Sequence, residues 1–195
     1  MVNRYFLLNK PYNMVSQFKS SHTVPMLGEI DFDFPEGIHA IGRLDSISEG
    51  LLILTTDKTV TRKLFLAPIP HPRSYLVMVQ HVMSDATLLQ LQQGVPIPIN
   101  DTEFYVAKPV SVKIVTDPIT LYKYATDPRE KYPHTWLLIT LTEGKFRQVR
   151  KMVMAVKHRC LRLIRLNINN IILGDMEPGE VREIDEVTFF ELLNT

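Results

Sequence analysis

The chain has 195 residues, of which 45% are hydrophobic and 22% charged, with a formal net charge of +1. This composition supports a folded core and argues against a globally disordered chain, and the apolar stretches are too short for a membrane span or a secretory signal. The single cysteine excludes an internal disulfide and fits a reducing cytoplasm, and the histidines lack the spacing of a metal site.

The first third of the chain predicts three strands and one short helix. RYFLLNKP is typical of a strand that ends at Pro11, and IHAIG and LLILTT predict two more strands on either side of a polar loop. Asp57 is expected to cap a short helix, KTVTRKLFL, that ends at the cluster of Pro68, Pro70 and Pro72.

The middle of the chain continues with strands, one helix and a loop. SYLVMVQ predicts a strand, and Ser84 is expected to cap the helix DATLLQLQQ, which stops at Gly94. EFYVAKPVSVKIV predicts two strands separated near Pro109. Residues 117–134 are rich in proline and lack periodicity, which predicts an insert on the surface.

The last third predicts strands on either side of an amphipathic helix. TWLLITL predicts a strand, EGKF a turn, and RQVRKMVMAVK a helix whose apolar stripe contains Val149, Met152, Val153 and Val156. RCLRLIRLNI alternates in part, MEPGEVREI predicts a turn and a strand, and VTFFELLN predicts a closing helix. Because strands outnumber helices and most connections are short, we expect an α+β domain around a largely antiparallel sheet.

The charge of the chain is distributed unevenly. From Gly144 to Gly174 there is no acidic residue and there are eight basic ones, so the remaining 14 basic and 21 acidic residues give about −7 elsewhere. Such asymmetry indicates a polyanionic partner, although a solvated face of a soluble protein is the alternative. The eight basic residues are Lys145, Arg147, Arg150, Lys151, Lys157, Arg159, Arg162 and Arg165.

Three separated stretches, and also the start of the chain, resemble one enzyme family. GRLDSISEGLLILTTD resembles the GRLDxxSEGLLLLTND signature of the RsuA-type pseudouridine synthases, and EGKFRQVRKM resembles their EGxxRQVRRM element. LRLIRLNI with MEPGEVREI resembles their LxRxxIG…LxPGxxREL tail, and LLNKPYNMVSQ is similar to their start. The resemblance runs from about Tyr5 to Ile184. It implies a pseudouridine synthase fold, in which two subdomains share a largely antiparallel mixed sheet flanked by helices, with a basic catalytic cleft.

Within the family, the chain is similar to a compact subgroup that acts on the large ribosomal subunit. Many relatives carry an S4 RNA-binding domain before the NKP strand, whereas about three residues precede that strand here. We therefore expect residues 1–195 to form a single catalytic domain of two lobes without that module. The resemblance implies 23S rRNA as substrate, free or in a pre-ribosomal particle, for a cytoplasmic monomer that needs no cofactor and no metal.

The resemblance assigns the chemistry to four residues. Pseudouridine formation breaks the N1–C1′ bond of a uridine, rotates the freed base and rejoins it through C5, which requires an ionised carboxylate but no redox step. Asp45 of GRLD is the implied carboxylate. Arg150, which ends RQVR, is its implied partner, because a guanidinium keeps an enclosed carboxylate charged. Tyr75 is expected to stack on the flipped uracil, and Leu163 to pack under it.

The predicted RNA contacts combine basic side chains with one amide. Phosphate contacts hold RNA in place but read little sequence. We therefore expect site selection to come from the folded shape of the RNA and from the insert at 117–134. The residues expected to bind RNA are Lys10, Arg43, Arg147, Gln148, Lys151, Arg159, Arg162 and Arg165.

Three positions depart from the family pattern. Arg73 stands where relatives carry lysine, two residues before Tyr75, so the positive charge is kept but its geometry changes. Lys157 and Asn169 stand where relatives carry glycine. Asparagine tolerates a left-handed backbone, whereas lysine requires either a different helix end or about 1 kcal/mol of strain.

Other interpretations stay open at the level of sequence. Asp45 is also a common type of turn residue. The chain could be a non-catalytic rRNA-binding or ribosome-assembly protein, although phosphate binding alone has no use for Asp45. A hydrolase that uses Asp45 and Glu49 would need the two carboxylates at a suitable separation and would leave the basic segment unexplained.

Overall fold

The computed structural model describes residues 2–19, 23–65 and 71–193 of the chain. The chain forms two compact units: Met1–His71 together with Ile164–Thr195, and Pro72–Leu163. Pro68 and Pro70, which the sequence predicts at the end of the first helix, lie outside the described residues. None of the helices within the described ranges is long and apolar enough to cross a membrane.

Short strands and helices make up both units. In chain order they are β1 (Tyr5–Lys10), β2 (His39–Ile41), β3 (Glu49–Thr55), α1 (Val60–Phe65), β4 (Arg73–Gln80), α2 (Asp85–Gln93), β5 (Val95–Pro98), β6 (Phe104–Ala107), β7 (Ser111–Val115), β8 (His134–Leu141), α3 (Gln148–Ala155), β9 (Cys160–Ile168), β10 (Ile171–Ile172), β11 (Val181–Ile184) and α4 (Glu186–Leu193). The unit boundary falls within β9, between Leu163 and Ile164. This content confirms the expected α+β class.

The first unit is built around β1, whose residues are all buried. β1 is antiparallel to both of its neighbours, β3 and β11, with Tyr5 opposite Thr55 on one side and Ile184 on the other. β2 is antiparallel to β3, and β3 in turn runs parallel to β9, where Gly50 lies opposite Arg165. Burial along the whole of β1 explains why YFLL, the middle of this stretch, is continuously apolar rather than alternating. The buried apolar cluster beside it contains Phe6, Leu8, Met14, Leu27, Leu52 and Leu54.

The second unit contains an antiparallel sheet in which β8 pairs with both β4 and β7. As predicted, Ser84 caps α2 by accepting a hydrogen bond from the Thr87 N–H at 3.2 Å, and Gly94 ends that helix with a φ of +103°. The predicted apolar stripe of α3 is buried in this unit's core. Members of that core are Tyr75, Val77, Leu137, Ile139, Val149, Met152, Val153, Val156 and Leu163.

Local backbone geometry differs from the sequence prediction at a few places. Strand β5 was not predicted, because two of its four residues, Pro96 and Pro98, lack an N–H. Helix α3 begins one residue later than expected, since Arg147 has a left-handed φ of +52°. Lys157 and Asn169 have φ values of +63° and +50°, so both positions adopt the left-handed conformation that favours glycine.

Candidate functional site

The loop that carries Asp45 connects β2 to β3 in the first unit. Asp45 is half-buried, and its backbone oxygen accepts a hydrogen bond from the Ser48 N–H at 3.0 Å, so a turn follows it directly. Arg43 is exposed, whereas Leu44 between them is buried. The turn interpretation of Asp45 is therefore confirmed for its backbone, and it leaves a chemical role of the carboxylate open.

The side chain of Ser16 binds the backbone of this loop. The Ser16 hydroxyl donates to the Leu44 carbonyl oxygen at 2.8 Å and accepts from the Leu44 N–H at 3.0 Å. The serine is itself buried. Because a buried backbone N–H and C=O both need partners, this one side chain satisfies Leu44 completely and fixes the residue directly before Asp45.

Lys10, at the end of β1, binds the same loop from inside the fold. Its ammonium donates to the carbonyl oxygens of Pro11 at 2.8 Å, Met14 at 2.6 Å and Ser46 at 3.2 Å. The side chain is fully buried, so the predicted phosphate contact of Lys10 is wrong. Burial lowers the pKa of Lys10 to about 8, while the nearby carboxylates of Glu49 and Asp45 act in the opposite direction.

Arg165 is a second predicted phosphate ligand that the structure buries. Its Nε donates to the Leu51 carbonyl oxygen at 2.7 Å, and its Nη2 donates to the Gly42 carbonyl oxygen at 2.9 Å. The phosphate contact predicted for Arg165 is therefore wrong as well. Three buried side chains therefore bind the backbone of every second residue of the loop. Arg165 binds Gly42, Ser16 binds Leu44 and Lys10 binds Ser46. We call these three side chains the loop clamp.

Tyr75 and Leu163 both lie in the second unit. Tyr75 is on β4, opposite Ile139 of β8, and Leu163 is on β9. Both are buried in the same apolar cluster. This placement brings the two predicted base-contacting residues into one core, while their contact with a uracil stays a prediction.

Arg150 is half-buried on α3 in the second unit. Its positive charge acts on the neighbouring Cys160 thiol: burial raises the pKa of Cys160 to about 11, and the charges of Arg150 and Arg129 oppose that rise. Asp45 belongs to the first unit and Arg150 to the second, so their pairing stays a prediction.

Arg73, whose role the sequence left open, is buried. Its Nη1 atom lies beside Gly144, 3.5 Å from the position that a Cβ atom would occupy there.

The remaining predicted RNA ligands fall into two groups. Arg147 and Arg159 are exposed and Lys151 is half-buried, with its ammonium donating to the Pro98 carbonyl oxygen at 2.7 Å. Gln148 is buried: its Nε2 donates to Glu143, and its Oε1 accepts from the Lys145 N–H at 2.9 Å. The predicted RNA contact of Gln148 is therefore wrong, because its amide is used inside the protein.

The insert at 117–134 contains more regular structure and more buried residues than the sequence predicts. It contains 3-10 helices at Pro118–Thr120 and Pro128–Lys131, and Tyr122 and Ala125 are buried. Arg162 Nη1 donates to the carbonyl oxygens of Tyr124 at 2.9 Å and Thr126 at 3.0 Å. Arg162, predicted to bind phosphate, thus anchors the insert to β9.

Sequence reasoning missed Ser16 as a site residue. Ser16 lies within the quoted stretch LLNKPYNMVSQ, but its partner Leu44 is 28 residues away and no periodicity connects the two. Across the parts of the chain that the structure describes, no group of three or more His, Cys, Asp or Glu side chains could hold a metal ion.

Comparisons with known proteins agree with the resemblance seen in the motifs. Residues 4–155 match the model of a family described as RNA pseudouridylate synthase. The chain is 35% identical over 185 residues to the ribosomal large subunit pseudouridine synthase E of Vibrio vulnificus, covering 93% of this chain and 75% of that protein. It is 36% identical over 183 residues to the protein of the same name from Xanthomonas campestris, covering 92% and 94%. The predicted family resemblance is confirmed.

More distant proteins extend the same relationship. The ribosomal small subunit pseudouridine synthase A of Escherichia coli is 29% identical over 185 residues, covering 94% of this chain and 71% of that protein. A crystal structure of a pseudouridylate synthase matches with a TM-score of 0.74 at 23% identity, covering 98% of this chain and 74% of that one. At this level of identity the structural match bears on the fold alone, and it confirms the expected fold.

Proposed function

The chain belongs to the RNA pseudouridylate synthase family, and from this membership we propose that it converts a uridine in the RNA of the large ribosomal subunit into pseudouridine. The observation that supports the proposal is the sequence identity of 35–36% between this chain and two proteins named ribosomal large subunit pseudouridine synthase E. The proposal includes 23S rRNA as substrate, free or in a pre-ribosomal particle, and action by a monomer in the cytoplasm, where ribosomes are made.

Asp45 is the proposed catalytic carboxylate. The reaction breaks the N1–C1′ bond, rotates the base and forms the C5–C1′ bond, so charge and a proton must be handled at the point where sugar meets base. A catalytic carboxylate must be held close to its productive geometry, since small displacements cost large factors in rate. The loop clamp supports this assignment, because Ser16, Lys10 and Arg165 fix the backbone on either side of Asp45.

Arg150, Tyr75 and Leu163 are the proposed partners of Asp45 in the reaction. A guanidinium keeps a carboxylate ionised when water is excluded, which is the proposed role of Arg150. A uridine that leaves its stack needs an aromatic or apolar surface, which is the proposed role of Tyr75 and Leu163. Membership of Tyr75 and Leu163 in one apolar cluster is consistent with that role.

The proposed RNA-binding surface is smaller than the sequence suggested. Arg43, Arg147 and Arg159 are exposed and Lys151 is half-buried, so these four cations are proposed to bind phosphate. Arg162 is assigned instead to anchoring the insert, whose exposed residues are proposed to help select the modified site.

The test compares rRNA from a strain that lacks the gene with rRNA from its parent. Carbodiimide mapping should show one pseudouridine missing from the 23S RNA of the deletion strain, and the purified protein should restore it. Asp45→Asn should bind the RNA and restore nothing, whereas Asp85→Asn, an exposed aspartate at the start of α2, should restore the mark. Identical maps from both strains would overturn the proposal, and full restoration by Asp45→Asn would favour a non-catalytic binder.

A further inference from the structure

Phe146 is an exposed aromatic residue in the turn before α3. Its exposed fraction is 72%, and cations flank its ring: Arg147 Cζ lies 5.9 Å and Lys151 Nζ 5.4 Å from the ring centroid. The turn belongs to the segment from Gly144 to Gly174 that contains no acidic residue. A large apolar ring is thus displayed in a positively charged part of the chain.

The turn beneath Phe146 is fixed by buried polar contacts. Gln148 accepts a hydrogen bond from the Lys145 N–H and donates to Glu143. Glu143 also accepts from the Tyr105 hydroxyl at 2.7 Å, and the Lys145 ammonium lies 4.0 Å from the Tyr105 ring centroid. These contacts hold the residues on either side of Phe146, so the exposed ring is presented on a fixed turn.

A second exposed phenylalanine in the same unit provides a contrast. Phe104 has an exposed fraction of 68%, but in sequence it follows Asp101 and Glu103. The two rings share type and exposure. Phe104 lies opposite Pro98, whose carbonyl oxygen accepts from the Lys151 ammonium. The local difference thus lies in Arg147 beside Phe146 and in the carboxylates that precede Phe104. A polyanion whose bases have flat faces is therefore attracted more strongly to the surroundings of Phe146 than to those of Phe104.

We propose that Phe146 is a stacking platform for an unpaired base of the RNA substrate, with Arg147 and Lys151 binding the adjoining phosphates. Unpaired bases stack on aromatic side chains without strong sequence preference, and neighbouring cations bind the backbone that connects them. Phe146 is exposed, whereas Tyr75, which is proposed to contact the target uridine, is buried. This inference rests on the proposed action on RNA.

The first experiment introduces a fluorescent ring at each position. Phe146→Trp and Phe104→Trp are titrated with oligouridylate and, separately, with heparin, a polyanion without bases. The native Trp136 is only 3% exposed, so the wild type provides the baseline. Oligouridylate should quench Phe146→Trp much more strongly than Phe104→Trp, and heparin should quench neither. Equal quenching of the two variants, or quenching of Phe146→Trp by heparin, would overturn the proposal.

The second experiment measures affinity for a 23S rRNA transcript at fixed salt. Phe146→Ala and Phe146→Leu should bind about 5- to 140-fold more weakly, the loss of one stacked base, because leucine keeps apolar bulk but has no flat face. Phe104→Ala should bind like the wild type, and all variants should keep the wild-type melting temperature. Unchanged affinity of Phe146→Ala would overturn the stacking role and point to a protein partner instead. If the wild type makes no pseudouridine, the proposed function fails, while fluorescence still decides on stacking.

Discussion

Arg165 and Gly42 are 123 residues apart in the sequence, and the Arg165 guanidinium donates a hydrogen bond to the Gly42 carbonyl oxygen at 2.9 Å. The same side chain donates to the Leu51 carbonyl oxygen at 2.7 Å. Gly42 is the first residue of the loop that carries Asp45, and Leu51 lies on β3 after the loop. One buried cation therefore fixes the backbone at both ends of the proposed catalytic loop.

Replacing Arg165 by lysine should impair turnover without weakening RNA binding. A lysine keeps the charge but lacks the planar fork that reaches two carbonyl oxygens at once. The resulting movement of the loop should reduce single-turnover pseudouridine formation about 10- to 100-fold. The concentration of RNA at half-saturation should stay the same, because the side chain is buried and does not face the RNA.

Arg159→Lys is the matched control for this prediction. Arg159 is exposed and assigned to phosphate binding, and a lysine serves a phosphate almost as well as an arginine does. Arg159→Lys should therefore keep both turnover and affinity. If Arg165→Lys also kept both, the Arg165 contacts with Gly42 and Leu51 would have no bearing on catalysis.

Ser16→Ala should reduce both stability and turnover. The substitution leaves the buried N–H and C=O of Leu44 without their partner, which should cost about 1–3 kcal/mol in the free energy of unfolding. Ser84→Ala provides a control, because Ser84 also accepts from a backbone N–H but caps α2 in the second unit. Its loss should cost about 1 kcal/mol and leave turnover unchanged. Equal turnover of the two variants, measured at a temperature where both are folded, would contradict the role of Ser16.

The fold was largely predictable because its strands and caps depend on local sequence. Ser84 and Gly94 set the start and the end of α2 through contacts within a few residues. LLILTT forms β3 because a continuous apolar run is buried. The VPIP strand was missed because its pairing with β6 depends on the partner strand rather than on local propensity.

The site was less predictable because its supporting contacts are long-range. Lys10 and Arg165 were interpreted as phosphate ligands from their charge, yet they reach the proposed catalytic loop through carbonyl oxygens 36 and 123 residues away in the sequence, those of Ser46 and Gly42. The available signal was the apolar sequence next to each cation, YFLL before Asn9 and Lys10, and LI before Arg165. That signal is weak, because lysine and arginine are rarely buried unless they are paired.

The contribution of Lys10 to the stability of the protein should increase with pH between 8 and 10. Burial lowers the pKa of Lys10 to about 8, whereas an unfolded lysine has a pKa near 10.4. Between these values the unfolded chain binds a proton that the native state does not, so the free energy of unfolding increases with pH. Over two pH units the increase should be about 2–3 kcal/mol.

Urea unfolding of the wild type and of Lys10→Met at pH 7, 8, 9 and 10 measures this effect. The unfolding free energy of the wild type minus that of Lys10→Met should stay constant below pH 8 and should increase above pH 8. Tyr5 and Cys160, whose pKa values are also raised by burial, are present in both proteins, so their contributions cancel. A constant difference across the whole range would show that Lys10 keeps its proton, with its charge held by the Pro11, Met14 and Ser46 carbonyls.

Gly50→Ala should destabilise the protein far more than Gly37→Ala, although both glycines have a positive φ, +95° and +82°. A Cβ at Gly50 would lie 2.4 Å from the Arg165 carbonyl oxygen, so β3 would have to move away from β9, whereas a Cβ at Gly37 would meet nothing within 4 Å. We expect a loss of about 1–2 kcal/mol for Gly37→Ala, from backbone strain alone, and about 4 kcal/mol or more for Gly50→Ala. Urea unfolding at pH 7 measures both losses. Similar values would mean that the parallel contact between β3 and β9 relaxes at little cost, and that Arg165 is not held rigidly against the loop it clamps.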